Sequence, residues 1–243
     1  MHYLYPDRNY TVFRIGLDPD HENFSNIAER IQGRQTKVFV NTLDCLTEIL
    51  NTAHYQDLPC SVNVDYQMFE ENNIDLTPIT SKILDHTVKN SSIWIMGNGG
   101  SASTAEHFET DLHFIRSNSI SKFPKVSALT SNSALISAIS NDIGYERIFS
   151  LQLLRKAEKG DLCILISASG DSKNLINATQ TAKDLGVFTI GILGFDGGQL
   201  AKLVDLPLIV KTNKGMYGPV EDVHLSICHE ISESVYKKLT SKI

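Results

Sequence analysis

From Ile93 onward, short apolar runs alternate with longer stretches in which apolar residues recur every three or four positions. The short runs fit buried strands at 92–96, 125–130, 161–167, 187–193 and 206–210. The longer stretches fit helices at about 103–115, 132–140, 145–157, 173–185 and 197–202, and a last one from about Pro219 to Leu239. Strands alternating with helices predict an α/β fold, a parallel sheet with helices on both faces. Two further helices are expected ahead of it. In the first, from Lys37 to about His54, Val38, Val40, Leu43, Leu46, Ile49 and Leu50 recur at roughly helical spacing. The second starts near Asp75 and Thr77, with Pro78 in its first turn and Ile79, Ile83, Leu84 and Val88 facing inward. Residues 1–35, where Tyr3, Tyr5, Tyr10 and Phe13 lie among Pro6, Asp7, Arg8 and Asn9, read as an N-terminal arm with no assignable role. The expected organisation is that arm followed by one domain over 36–243.

The chemistry concentrates where strands end. Gly97-Asn98-Gly99-Gly100-Ser101 follows the first core strand and opens a helix, so three glycines permit a tight turn and Ser101 or Ser103 can cap the helix. A helix N-terminus presents unpaired N–H groups to an anion, which makes Asn98 to Ser101 a phosphate candidate. The loop is neither of two better known kinds. No Lys-Ser or Lys-Thr follows it, and the sixth position of a dinucleotide-binding pattern is Ala102. Without a ligand it could simply turn the chain. A second turn, Ser167-Ala168-Ser169-Gly170-Asp171-Ser172, opens helix 173–185. Its three hydroxyls and the helix N-terminus behind them form an anion cradle with little formal charge, unless the serines only cap the helix. Ligands collect at the carboxyl ends of strands in open α/β sheets, where both turns lie.

Two groups of titratable residues accompany these turns. His107 and Asp111 stand four apart on one helical face, a spacing at which imidazole and carboxylate can share a metal or a proton. Glu221, Asp222, His224, Cys228, His229 and Glu230 crowd the last helix. Spacing alone would pair His224 with Cys228 or Glu221 with His224, whereas eight residues separate Glu221 from His229, a rise of ~12 Å. A satisfied structural histidine remains open at each position.

Composition narrows the partners. A chain of 243 residues accommodates one α/β domain plus an extra element and buries ~70–75% of its unfolded surface. A net charge of −6 speaks against a general nucleic-acid or anionic-membrane surface, so an anionic ligand must be caught locally. Cys45, Cys60, Cys163 and Cys228 form no CxxC, and no N-terminal segment resembles a signal peptide, which fits a reducing cytoplasm. No run approaches the ~18 apolar residues of a membrane span.

Taken in order and spacing, Gly97-Asn98-Gly99-Gly100-Ser101 with His107-Phe108, Asn141-Asp142-Ile143-Gly144-Tyr145, Ser167-Ala168-Ser169-Gly170-Asp171-Ser172 and Glu221-Asp222-Val223-His224 through His229 resemble sugar isomerase (SIS) domains. More narrowly, they resemble the phosphoheptose isomerases, also called sedoheptulose 7-phosphate isomerases. The likeness runs from about residue 40 to the C-terminus. It implies a three-layer sandwich around a five-stranded parallel sheet, a homotetramer with active sites between subunits, and interconversion of sedoheptulose 7-phosphate with D-glycero-D-manno-heptose 7-phosphate for surface glycans. By resemblance, Asn98, Gly99, Gly100, Ser101, Asp111, Asn141, Asp142, Ser167, Ala168, Ser169, Ser172 and Glu221 contact the phosphorylated sugar. His107, Asp111, Glu221 and His229 hold a zinc ion. Neither nucleic acid nor membrane is an implied partner.

The family usually has glutamate at Asp111, glutamine at Glu221 and threonine at Ala168. The shorter Asp111 retracts its carboxylate by roughly 1.5 Å, the length of a C–C bond, while the acid at Glu221 adds charge that favours a dication. Aldose–ketose isomerisation through an enediol needs a base for the proton beside the carbonyl and an acid for the oxygen. Asp111 and His229 are the expected pair, in either order. The rival expectations are a non-catalytic SIS protein that binds a sugar phosphate or serves as a scaffold, and an isomerase of another ketose phosphate.

Overall fold

The computed structural model describes residues 11–15, 36–40, 74–113 and 122–240. The chain divides into two compact units, Met1–Glu71 and Asn72–Ile243. In the first, β1 (Thr11–Ile15) pairs in parallel with β2 (Thr36–Val40). β2 corrects the helix expected from Lys37. Thr36, Val38, Phe39 and Val40 are β-branched or aromatic and suit a pleated strand, and so short an apolar run satisfies either period. The rest of that expected helix, residues 41–54, and Tyr3, Tyr5 and Tyr10 lie outside the described residues.

The second unit opens with α1 (Thr77–Lys89). Asp75 accepts the Thr77 N–H at 2.9 Å, and that bond holds the Asp75 carboxyl below its usual pKa. Asn90 ends the helix in a left-handed conformation, its N–H reaching the carbonyls of His86 and Thr87. Ile79 and Ile83 are buried as expected, but Val88 is 56% exposed and the inward face is completed by Thr80, His86 and Thr87. Thr87 can face inward because its hydroxyl donates to the Ile83 carbonyl at 2.8 Å.

Five strands follow, separated by helices: β3 (Ser92–Gly97), α2 (Gly100–His113), β4 (Lys125–Ala128), α3 (Ser133–Asp142), a 3-10 turn (Tyr145–Arg147), α4 (Ser150–Lys156), β5 (Leu162–Ser167), α5 (Lys173–Asp184), β6 (Phe188–Gly194), α6 (Leu200–Leu203), β7 (Leu206–Val210) and α7 (Tyr217–Thr240). The sheet is wholly parallel in the order β4-β3-β5-β6-β7. This is the expected α/β sandwich. Residues 162–168 are all buried, which explains the unbroken apolar run of β5, covered on both faces. One core layer joins Trp94, Met96, Cys163 and Leu165 to Leu129, Phe149, Leu153, Leu175 and Ala178.

The amino ends of β3 and β5 are pinned by Asp161. One carboxylate oxygen accepts the Ser92 N–H at 2.8 Å, and the other accepts the Trp94 indole N–H at 2.9 Å and the Glu158 N–H at 3.0 Å. At the opposite, carboxyl ends, the chain leaves β3 toward β4 on one side and later returns through β5 on the other. Strand order reverses there. The turns after β3 and β5 therefore flank the crevice in which a sheet of this topology takes its ligand.

Candidate active site

Steric need accounts for the first turn. A Cβ on Gly97 would lie 2.5 Å from the Ser101 carbonyl oxygen, and Gly99 has φ +55°. The helix begins at Gly100, one residue before Ser101 and three before Ser103, the two proposed caps, and the Gly99 carbonyl accepts the N–H groups of Ala102 and Ser103. Ser101 is buried within the first turn, while Asn98, Gly99 and Gly100 face the crevice side with partial or full exposure.

The second turn is held from within and from below. Ser167 Oγ accepts the Gly170 N–H at 3.0 Å and Ser169 Oγ accepts that of Asp171 at 3.3 Å, which leaves both hydroxyl protons for a ligand. Ser172 occupies the N-cap position of α5 but makes no side-chain cap bond, so its hydroxyl is also available. Gly170, at φ +67°, sits against the Gly197 carbonyl where no Cβ would fit, and Asp171 Oδ1 accepts the Gln199 N–H at 3.0 Å. Ala168, in place of a hydroxyl residue, packs with Phe195 and Val220. Phe195 adopts a left-handed φ of 53°, and its ring meets Tyr217 edge-on at 5.2 Å.

The two turns are tied together. Asn98 Nδ2 donates to Asn174 Oδ1 at 3.0 Å, Asn174 Nδ2 donates to Asn98 Oδ1 at 2.8 Å, and the Tyr145 hydroxyl donates to Asn98 Oδ1 at 2.9 Å. Sequence reasoning assigned nothing to Asn174 or Tyr145, because no periodicity announces a contact between residues 76 apart. Asn141 and Asp142 end α3, exposed, with Asn141 Nδ2 donating to Asp142 Oδ1 at 2.8 Å. Asn141 also borders an open hollow of about 460 Å³ whose other lining is Thr130, Ser133, Ile136, Ser137 and Ser140, a hydroxyl-rich surface suited to a polyol.

Along α2 and α7, which pack side by side, three of the four expected metal ligands converge. His107 Nε2 and His229 Nε2 are 3.0 Å apart, His107 Nε2 is 3.5 Å from Asp111 Oδ1, and His229 Nε2 is 3.4 Å from Asp111 Oδ2. For zinc bonded to nitrogen and oxygen at roughly 2.0–2.1 Å, neighbouring ligand atoms of a tetrahedron are roughly 3.3–3.4 Å apart. Two imidazoles and a carboxylate at these separations suit such an ion, and the shorter aspartate reaches far enough to join them.

Glu221 stands elsewhere. Its carboxylate covers Gly100, where an added Cβ would lie 2.5 Å from the carboxylate carbon and 2.6 Å from Oε1. Gly100 and Glu221 thus meet one level along the helix pair, and His107 and His229 meet at the next, seven and eight residues on. Burial raises the Glu221 pKa. His224, which spacing could have paired with Glu221 or Cys228, is fully buried, and neither ring nitrogen has a hydrogen-bond partner among the described residues. Desolvation lowers its pKa to about 4 and the nearby Leu193 backbone opposes this without meeting hydrogen-bond geometry, so it is a neutral core residue. Cys228 is buried too, and desolvation first, then the Asp111 charge, pushes its thiol pKa up.

A parallel sheet with anion-ready turns at its switch point and a His-Asp-His group beside them defines the class, and comparison agrees with it. The SIS domain family matches residues 62–194, and the chain belongs to that family. Within it the chain stands among the phosphoheptose isomerases. It is 40% identical over 161 residues to the phosphoheptose isomerase of Aliarcobacter butzleri, covering 66% of this chain and 84% of that one. The phosphoheptose isomerase of Geotalea daltonii is 32% identical over 188 residues, 76% and 96% of the two chains. Among solved structures, phosphoheptose isomerase GmhA from Neisseria gonorrhoeae superposes with a TM-score of 0.62 at 25% identity, over 80% of this chain and 98% of that one.

Proposed function

We propose that this protein is an aldose–ketose isomerase that interconverts sedoheptulose 7-phosphate and D-glycero-D-manno-heptose 7-phosphate for surface-glycan heptose. The observation that carries this reading is the convergence of His107, Asp111 and His229 from two helices beside the switch-point turns. His107, Asp111 and His229 hold a divalent ion, which we take to be zinc. When bound, that ion polarises the carbonyl and hydroxyl oxygens of the sugar. Glu221 can complete the set only by leaving Gly100.

The remaining steps fall to the chain's own side chains. The phosphate is held by the hydroxyls of Ser167, Ser169 and Ser172 and the N–H groups opening α5. Asn98, Gly99, Gly100, Ser101 and the backbone of Ala168 line the crevice, with Asn141 and Asp142 oriented along the polyol. Asp111 and His229 move the proton between the two carbons and the oxygen through an enediol. An ion and a proton compete for the same lone pair on His229 Nε2, so exchange activity of metal-stripped protein reports which task that imidazole performs. The homotetramer implied by the resemblance is part of this reading.

Metal analysis of purified protein, together with solvent-proton exchange into sedoheptulose 7-phosphate, tests the reading. The isomerase binds about one ion per chain and exchanges the proton. A non-catalytic sugar-phosphate binder does neither. Exchange confined to another ketose phosphate would keep the reaction class and replace the substrate.

A further inference from the structure

We infer that Asn174 and Tyr145 are positioning residues that lock the Asn98 side chain so that it offers a ligand one N–H donor and no acceptor. The inference rests on the phosphosugar reading above and adds to it what this part of the crevice can recognise.

An asparagine side chain has two acceptor lone pairs on Oδ1 and two N–H donors on Nδ2. In Asn98 both acceptor positions are taken, by Asn174 Nδ2 at 2.8 Å and by the Tyr145 hydroxyl at 2.9 Å. One donor is spent on Asn174 Oδ1 at 3.0 Å. A single N–H is left. It can meet only an atom with a lone pair, a phosphoryl, carbonyl or hydroxyl oxygen, and has nothing to offer an ammonium group.

The lock is built into rigid parts. Asn174 is 2% exposed on the first turn of α5, two residues after Ser172, so the reciprocal amide pair is sheltered from water and couples the glycine turn to the serine turn. Tyr145 opens the 3-10 turn after Gly144, whose φ of +139° reverses the chain. That turn is tied to α5 by Asn177 Nδ2, which donates to the Glu146 carbonyl at 3.0 Å. Free rotation of the Asn98 amide would present oxygen or nitrogen to a ligand indifferently. In the structure three hydrogen bonds from two elements hold the amide with Oδ1 toward Tyr145 and Asn174 Nδ2, and with Nδ2 toward Asn174 Oδ1.

The test is equilibrium binding of sedoheptulose 7-phosphate, by titration calorimetry, to full-length wild type, N98A, Y145F, N174A and the doubles Y145F/N98A and N174A/N98A. A well-oriented hydrogen bond to a charged or strongly polar oxygen is worth about tenfold in affinity. N98A should weaken binding about tenfold and Y145F about threefold, and neither Y145F nor N174A should weaken it further once Asn98 is alanine. Additive losses in the doubles, or an unchanged Kd for Y145F, would overturn the inference. Y145F removes one exposed hydroxyl and leaves the core untouched, so it decides the matter even if N174A misfolds. Wild type that binds the sugar phosphate without turning it over ends the isomerase reading and leaves this comparison intact. Wild type that does not bind it overturns both.

Discussion

Asp111→Asn isolates the charge at the centre of the His-Asp-His group while keeping its size. The Asp111 oxygens lie 3.5 and 3.4 Å from the two imidazole nitrogens. With an effective dielectric between 80 and 20, a carboxylate at that range attracts each unit of positive charge by roughly 1–5 kcal/mol. Asp111 is about a quarter exposed, so the weaker limit is the safer guide. Even there a dication loses about 2.5 kcal/mol, on the order of 100-fold in affinity, which is a lower bound because a bound ion would sit nearer the carboxylate than the imidazole nitrogens do. Outer-shell partners of metal ligands already cost 10–100-fold when removed, so a ligand should not cost less. We therefore expect D111N to bind zinc about 100-fold more weakly than wild type in competition with a chromophoric chelator, and to lose proton exchange on sedoheptulose 7-phosphate. Its unfolding, followed by the single tryptophan, Trp94, should stay close to that of wild type. Zinc affinity within about threefold of wild type would refute the placement of Asp111 as a ligand, whatever happened to activity.

Asp161→Asn must turn an amide N–H toward one of the donors that the carboxylate now accepts, at Ser92, Trp94 or Glu158. It should cost about 3 kcal/mol in urea unfolding read by Trp94 fluorescence, and a loss under about 1 kcal/mol would show that the pin is dispensable. His224 is held neutral with a pKa near 4, below its ordinary 6.5. The unfolded chain therefore binds the proton first, and this contribution to stability is complete above pH 6.5 and fades by about 3 kcal/mol as pH falls to 4; H224L should flatten that part of the pH–stability curve, and an unchanged slope would reject the assignment. Burial raises the Glu221 pKa, so ionising it within the fold is unfavourable and its effect on stability worsens as pH rises from the ordinary carboxylate range through the folded pKa. E221Q should melt higher than wild type at pH 8 and alike at pH 4, with resting zinc affinity unchanged; weaker zinc binding would make Glu221 a ligand.

The core strands were legible because each is an apolar run ended by glycine, serine or a polar break, and the observed bounds fall within about two residues of those expected. Helix onset was less so. Ser101 looks like a cap, but Gly99 and Gly100 let α2 start a residue earlier and draw Ser101 inside. The face of α1 was misjudged at Val88 because hydropathy counts Thr87 as polar, whereas its hydroxyl is satisfied by a carbonyl one turn back. At the site, the types and order of the reactive residues could be read from spacing, whereas which of them meet came only from the resemblance. His107 meets His229 across 122 residues, and Glu221 meets Gly100 across a similar span. Spacing along one helix had favoured pairings of Glu221 with His224 and of His224 with Cys228. Buried His224 shows why that fails, since it shares a helix with Glu221 and His229 but faces the core.

The position of Glu221 also distinguishes the two turns that the sequence offered to an anion. Both α2 and α5 point their N-termini toward the crevice, and each could receive a phosphate through its first N–H groups. The α2 end already has a carboxylate above Gly100, and a phosphate there would face a like charge at close range in an acidic chain. The α5 end has serine hydroxyls and an amide around it, and the Asp171 carboxylate in its turn is engaged by the Gln199 N–H with Lys173 two positions on. On the isomerase reading proposed above, the phosphate would therefore sit at the α5 end, with His107 and Asp111 along α2 left for the ion and proton chemistry. In a sugar phosphate the phosphate and the reacting carbonyl are at opposite ends of an extended chain. If the proposed anion grip lies on one helix and the ion and proton chemistry on another, such a molecule would lie lengthwise across the switch point.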